Sequence, residues 1–184
     1  MKNVWIDLGS HFGAITRKFM ASKSYSPGME LHAFEGNPII TQDIFDGYPS
    51  RVQIHRVLAW TFNGELDFFI NGDQRVQGCS VLPDKITGNL DVANPVRVPC
   101  IDFSKWIRDN FEPTDNIILK SNIEGAEYDL FEKMLSDGTA EYISKLFLRR
   151  HWHKCNIPES RDKKLVADLV KSSERIVVEF DYSF

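Results

Sequence analysis

The sequence predicts an α/β fold, a mostly parallel, twisted sheet with helices on both faces. Three observations predict it. Short apolar runs alternate with segments of helical pattern along the chain, the alternation that builds parallel sheets covered on both sides. The first run, Val4 to Asp7, ends in a carboxylate and passes into a tight turn built on Gly9 and Gly13. The second, Leu31 to Phe34, is followed at once by Glu35, 26 positions after Gly9. At 184 residues the chain is expected to form one domain spanning residues 1–184.

Asn3–Leu8 reads as the first strand and about Ala14–Ser22 as the helix after the glycine turn. Pro27-Gly28 turns the chain into a second strand, Glu30–Phe34. Pro38 fits the first position of a helix running to about Asp46. Val52–Ala59 reads as a third strand, and Gly64–Asn71 is strand-like. Gly72 to Pro95 is polar, with frequent Gly, Asp and Asn, and loops of that length are usually functional or mobile. Asp102 caps a helix to Asn110, Ile117–Asn122 is a fourth strand, and Glu127–Leu135 a helix. Lys145–His151 reads as a fifth strand, about Arg161–Lys171 as a charged helix, and Arg175–Tyr182 as a closing strand.

A hydrophobic content of 42% with 26% charged residues is that of an ordinary globular protein. A net charge of −4 argues against a general nucleic-acid binder. No apolar run approaches the roughly 18 residues of a membrane span, so no membrane association is expected. The chain moves straight into a strand, from which no signal or transit peptide is expected. Cys79, Cys100 and Cys155 form no C-x-x-C pair and read as reduced thiols of a cytoplasmic protein.

The two strand ends suggest a nucleoside-cofactor site of Rossmann-like type. A carboxylate at the tip of the second strand is where such a sheet holds a ribose hydroxyl pair, which assigns Glu35, with Gly36 and Asn37 beside it. The loop Asp7-Leu8-Gly9-Ser10-His11-Phe12-Gly13 departs from the dinucleotide pattern G-x-G-x-x-G, because His11 stands at one glycine and Asp7 adds a negative charge. Such a carboxylate repels phosphate and suits a cation, which favours S-adenosyl-L-methionine over NAD. The backbone N–H groups of His11 and Phe12 are expected to point at the cofactor. Ala59 ends the third strand and Trp60 follows it, where Trp60 is read either as cover for the adenine ring or as core.

Three further segments extend the pattern: Val57-Leu58-Ala59-Trp60 followed by Gly64-Glu65-Leu66-Asp67-Phe68-Phe69-Ile70; Val96 to Ile107; and Leu119-Lys120-Ser121-Asn122-Ile123-Glu124-Gly125-Ala126-Glu127-Tyr128. In this order they resemble the FkbM family of S-adenosylmethionine-dependent methyltransferases, mostly O-methyltransferases. The resemblance runs from about Val4 to about His153, and the L-K-x-x-x-E-G-A-E segment is its most specific part. It implies a class I methyltransferase fold, with the cofactor over the carboxyl ends of strands one to three and the closing strand as an antiparallel addition. Two positions depart from the family. Asn122 stands where Asp is usual, and Arg149-Arg150 precede His151 where an acidic residue is usual.

Lys120, Asn122 and Glu124 lie at the end of the fourth strand, where open α/β sheets bind ligands, and are read as acting on the methyl acceptor. Glu124 is placed near the chemistry and Glu127 in a structural role at a helix start. His151 is the candidate general base. His151, His153 and Cys155 have a spacing that could bind zinc on a continuing strand, but Asn156 and Pro158 end the strand and no fourth ligand is evident, so no metal is expected. Lys145, Arg149, Arg150 and Lys154 form a basic cluster suited to an anionic group, with Arg149 expected on the side of His151. The acceptor expected is a small molecule or glycan, and an anionic group on it would fit the cluster. The alternative is an S-adenosylmethionine-binding module with weakened or lost catalysis.

Overall fold

The computed structural model describes residues 1–40, 51–71, 77–172 and 176–180. Nine strands and four α-helices are defined among them: β1 (Asn3–Leu8), α1 (Ala14–Met20), β2 (Glu30–Phe34), β3 (Val52–His55), β4 (Leu58–Trp60), β5 (Gly64–Phe68), β6 (Val96–Asp102), α2 (Phe103–Asn110), β7 (Asn116–Ser121), α3 (Glu127–Ser136), β8 (Ile143–Leu148), α4 (Glu159–Ser172) and β9 (Val177–Glu179). The main sheet has six strands in the order β3-β2-β1-β7-β8-β9, and every pairing in it is parallel. The fold is therefore α/β with a parallel sheet.

β1 is the centre of this sheet, and its side chains alternate as the pleat requires. Val4, Ile6 and Leu8 enter one core with Phe103, Ile107, Tyr128, Phe131 and Leu165 from α2, α3 and α4. Trp5 enters the other, where it stacks on Phe19 of α1 at 4.0 Å between ring centroids. Helices thus cover both faces. A strand buried on both sides must be almost wholly apolar, which is why Val4-Trp5-Ile6 reads so plainly in the sequence.

A second, three-stranded sheet runs β4-β6-β5, with β4 parallel and β5 antiparallel to β6. It was not expected as a sheet, and two differences follow from it. The run Val52–Ala59 is two strands, because β2 ends at Phe34 and offers nothing to pair with beyond His55; the chain leaves the main sheet and joins β6 instead. Val96–Asp102 is a strand despite Pro99. β4 pairs only from Cys100 onward, so Pro99 faces a strand on one side alone, and proline survives where no ladder donor is needed.

Asp102 caps α2 as expected, its side chain accepting the Lys105 N–H at 2.9 Å. β8 ends at Leu148 rather than His151. The Arg149 N–H makes the last bond to β7, at the Ser121 carbonyl, and the chain then enters a short 3-10 turn over Trp152–Lys154. β9 runs parallel to β8, which corrects the expected antiparallel addition. The α4 crossover brings the chain back to the end of the sheet it left, and a connection of that kind yields a parallel neighbour. Arg175, Asp181 and Tyr182 of the expected closing strand, and most of the helix expected from Pro38 to Asp46, lie outside the described residues. No helix of the described residues is long and apolar enough to cross a membrane.

The β2–β3 pair buries two histidines side by side. His32 Nδ1 lies 3.1 Å from His55 Nε2, and Phe34 and Trp106 pack on the pair. Burial, then the neighbouring His55, pushes His32 down to about 4, and burial lowers His55 also. A depressed histidine binds its proton in the unfolded chain first, so stability is lost as pH falls from about 6.5 towards 4. His32 alone should contribute on the order of 3 kcal/mol of that loss. Urea unfolding midpoints at pH 7, 6 and 5 should fall accordingly, and His32→Gln should flatten the slope. An unchanged slope would remove His32 as its source.

Candidate functional site

The chain runs from β1 outward to β3 on one side of the sheet and returns through β7 to β9 on the other. Between the diverging crossovers, at the carboxyl ends of the strands, a crevice must open. It holds a cavity of about 440 Å³, within the usual size of a small-molecule site. Of the residues expected to bind the cofactor or to act on the acceptor, all line it except Asp7 and Gly13, and of the basic cluster Arg149 and Lys154 line it.

Asp7 is turned into the protein. It is the register neighbour of Lys120 on β7, so both side chains leave the sheet on the same face. The Lys120 ammonium sits 2.7 Å from Asp7 Oδ1, and the Thr16 hydroxyl donates to Oδ2 at 2.7 Å while accepting the Trp5 indole N–H at 3.0 Å. Lys120 Nζ also donates to the carbonyls of Leu8 at 3.1 Å and Gly9 at 2.8 Å. An ammonium has three donors; two go to these carbonyls, and the charge rests against Asp7 Oδ1. This corrects two expectations. Asp7 does not present a charge to a ligand, so it does not repel phosphate; Lys120 is a structural cation rather than a group acting on an acceptor.

The glycine turn is also built for the protein itself. Gly9 has φ +69°, and a Cβ there would lie 2.2 Å from the Asn122 carbonyl oxygen. The main chain that must come close is the loop after β7. The His11 N–H, expected at the cofactor, donates to Glu35 Oε2 at 2.7 Å, and the Asn37 N–H donates to Oε1 at 2.9 Å. Glu35 is only 8% exposed. Burial raises its pKa, opposed by the Asn37 and His11 N–H bonds. Each oxygen keeps a further lone pair, so the carboxylate can still accept a hydroxyl pair from within the cavity. Ala59 and Trp60 of β4 form the wall nearby.

At the other end stands His151, 1% exposed. Its Nδ1 lies 2.8 Å from Glu127 Oε1. Glu127 accepts the N–H groups of Ile123 at 2.9 Å and Gly125 at 2.7 Å, so both of its oxygens are held as acceptors. That places the His151 proton on Nδ1 and leaves Nε2 for chemistry, facing Glu124 Oε1 at 3.5 Å. The role read for Glu127 at the helix start is thus joined by a second, orienting the imidazole. Glu124 occupies a left-handed backbone position, φ +53°. Burial works to raise its pKa, but the His151 imidazole when protonated, and the Lys85 ammonium, hold it below the usual carboxylate value.

Asn122 lines the cavity with Glu124 and His151. The basic cluster divides. Lys145 pairs with Glu179 at 2.7 Å and Arg150 with Asp162 at 2.9 Å, whereas Arg149 and Lys154 line the cavity. Arg149 is on the side of His151, as expected. Because β8 has ended, His151, His153 and Cys155 do not share a strand face; the Cys155 thiol donates to the Glu124 carbonyl and burial pushes its pKa up to about 12. Among the described residues no group of three His, Cys, Asp or Glu side chains could hold a metal ion.

Sequence reading missed Lys85, Ser80 and Asp162. Ser80 Oγ donates to the Glu124 carbonyl at 2.8 Å, Lys85 reaches Glu124 Oε2 at 3.1 Å, and Asp162 accepts the Tyr128 hydroxyl at 2.8 Å. For Ser80 and Lys85 the length of the 72–95 segment was the available signal; Asp162, on α4, had none. No family model, curated protein or solved structure matches the chain.

Removing one partner of a buried pair strands the other charge. Lys120→Met should therefore destabilise by about 3–5 kcal/mol, and adding Asp7→Asn should recover much of that. Urea unfolding of the two variants checks it; an equal loss in both would place the cost in packing alone.

Proposed function

We propose that the chain is an S-adenosyl-L-methionine-dependent O-methyltransferase acting on a small-molecule or glycan acceptor. One observation carries the reading. A single cavity joins a carboxylate at the tip of the second strand, with lone pairs to spare, to a buried imidazole whose Nδ1 proton is held by Glu127. Glu35 suits the ribose hydroxyls, and Ala59 and Trp60 suit an adenine ring. Gly9, Ser10, His11 and Phe12 form the turn beneath them, with Gly36 and Asn37 at the strand tip. When bound, S-adenosyl-L-methionine supplies an electrophilic methyl group. Everything else is positioning and proton transfer. His151 Nε2 takes the proton of the acceptor hydroxyl, Glu127 holds the ring, and Glu124 compensates the imidazolium charge. Arg149 and Lys154 fit an acceptor that carries a carboxylate or phosphate.

A binding module without turnover is the second reading. It is favoured by Lys120, whose engaged ammonium removes one of the four residues read as acting on an acceptor. Turnover on a fractionated metabolite pool separates the two.

Calorimetry should register binding of S-adenosylmethionine and S-adenosylhomocysteine. Glu35→Ala should weaken it by about 1–3 kcal/mol, the cost of leaving a hydroxyl pair without its acceptor. Tighter binding of NAD would sink the reading, a comparison made more pointed by the neutralised Asp7.

The two arginines should respond differently to reversal. Arg149→Glu should raise the acceptor KM and leave cofactor affinity alone. Arg150→Glu should chiefly lower the melting temperature, since it leaves buried Asp162 without its cation. Equal effects in both assays would make the cluster a solvated face.

A further inference from the structure

The segment between β5 and β6 supplies a buried lysine to the acceptor end of the cavity. The Lys85 side chain is 1% exposed. Its ammonium donates to the Gly78 carbonyl at 2.6 Å and lies 3.1 Å from Glu124 Oε2. The space around it depends on two glycines, both in the left-handed region. A Cβ at Gly88 would come within 2.8 Å of the Gly78 carbonyl oxygen and 3.1 Å of Lys85 Nζ, and one at Gly78 would lie 3.5 Å from the same nitrogen. Burying an ammonium is costly unless it is paired, and the segment does not need it as an anchor. Leu82 already packs on the main core, Ser80 Oγ binds the Glu124 carbonyl, and the Ile86 N–H binds the Lys154 carbonyl at 2.8 Å.

What Lys85 touches is one oxygen of the carboxylate whose other oxygen faces His151. We propose that Lys85 is a positioning residue, fixing the Glu124 carboxylate against Nε2 of His151 so that the proton-accepting cluster is completed by the segment after β5. The inference rests on the acid–base role given to His151 above. The charged and titratable groups facing His151 are Glu127 from α3, Glu124 from the loop after β7, and Arg149 and Lys154 from the chain on either side of it. Lys85 stands behind Glu124, and the Cys155 thiol, with Asp84 acting on it, stays protonated near neutral pH. With His151 neutral, the group Glu124, Glu127, His151 and Lys85 carries one net negative charge. Taking a proton from an acceptor hydroxyl on Nε2 brings those four groups to zero, while Arg149 and Lys154 at the same cavity add positive charge that a carboxylate or phosphate on the acceptor would balance.

The test is a coupling measurement on the protein alone, reading the His151 titration midpoint by NMR. Glu124→Gln should lower the midpoint by about 1 pH unit in the wild-type chain. The same substitution should shift it by less than half as much in a chain already carrying Lys85→Met, because Glu124 is then no longer held in place. Lys85→Arg should preserve most of the wild-type shift. If Lys85→Met does not fold, Lys85→Gln keeps a donor for the Gly78 carbonyl and serves in its stead. A Glu124→Gln shift of equal size with and without Lys85 overturns the proposal, whatever happens to stability. Neither cofactor nor acceptor enters the measurement. Failure of S-adenosylmethionine to bind would remove the cofactor reading and leave this coupling standing, and the reverse outcome would do the opposite.

Discussion

At the middle of the main sheet a carboxylate and an ammonium are buried side by side, and much of the site's geometry hangs from them. Asp7 and Lys120 join β1 to β7 through their side chains as well as through the ladder. The same ammonium gathers the carbonyls of Leu8 and Gly9, which sets where β1 ends and the turn begins. From that turn, the Gly9 and Ser10 N–H groups both reach the Phe34 carbonyl at 3.0 Å, and the His11 N–H reaches Glu35. A charge pair thus fixes the mutual placement of three strand ends. Such a pair adds little net stability compared with apolar packing, but breaking it is expensive. It serves definition more than strength.

The two ends of the cavity handle charge in different ways. Near the turn, Glu35 is an acid in apolar surroundings, kept useful by two backbone donors. Near β8, charges are arranged in alternation: Glu127, His151, Glu124, then Lys85. Burial makes each of these contacts stronger than it would be in water and makes any unpaired member costly. That is why the β8 end of the cavity needs contributions from three separate parts of the chain.

Much of the sheet was legible because its strands are buried on both faces and must be apolar. Val4 to Leu8, Leu31 to Phe34 and Ile117 to Leu119 show this directly. The strands of the smaller sheet were less so: β4 is three residues long, and β6 contains Pro99 and alternates apolar with polar positions. The end of β8 was misplaced for a similar reason. Arg149 to His151 is compatible with an extended strand, and only the loss of a partner beyond Ser121 ends it.

The sequence by itself determined the α/β alternation, the glycine turn, Glu35 at the tip of β2, and the meeting of Glu124 with His151 at one crevice. Those are consequences of local pattern and of strand order, and local pattern is written in consecutive residues. Only the tertiary structure decided that Asp7 faces Lys120 rather than a ligand, that Gly9 makes room for Asn122, and that Lys85 enters the site at all. Each of these depends on which group 39 or more residues away arrives within about 3 Å. Nothing in a residue's neighbours along the chain specifies that distance; it is set by register, crossover and burial together.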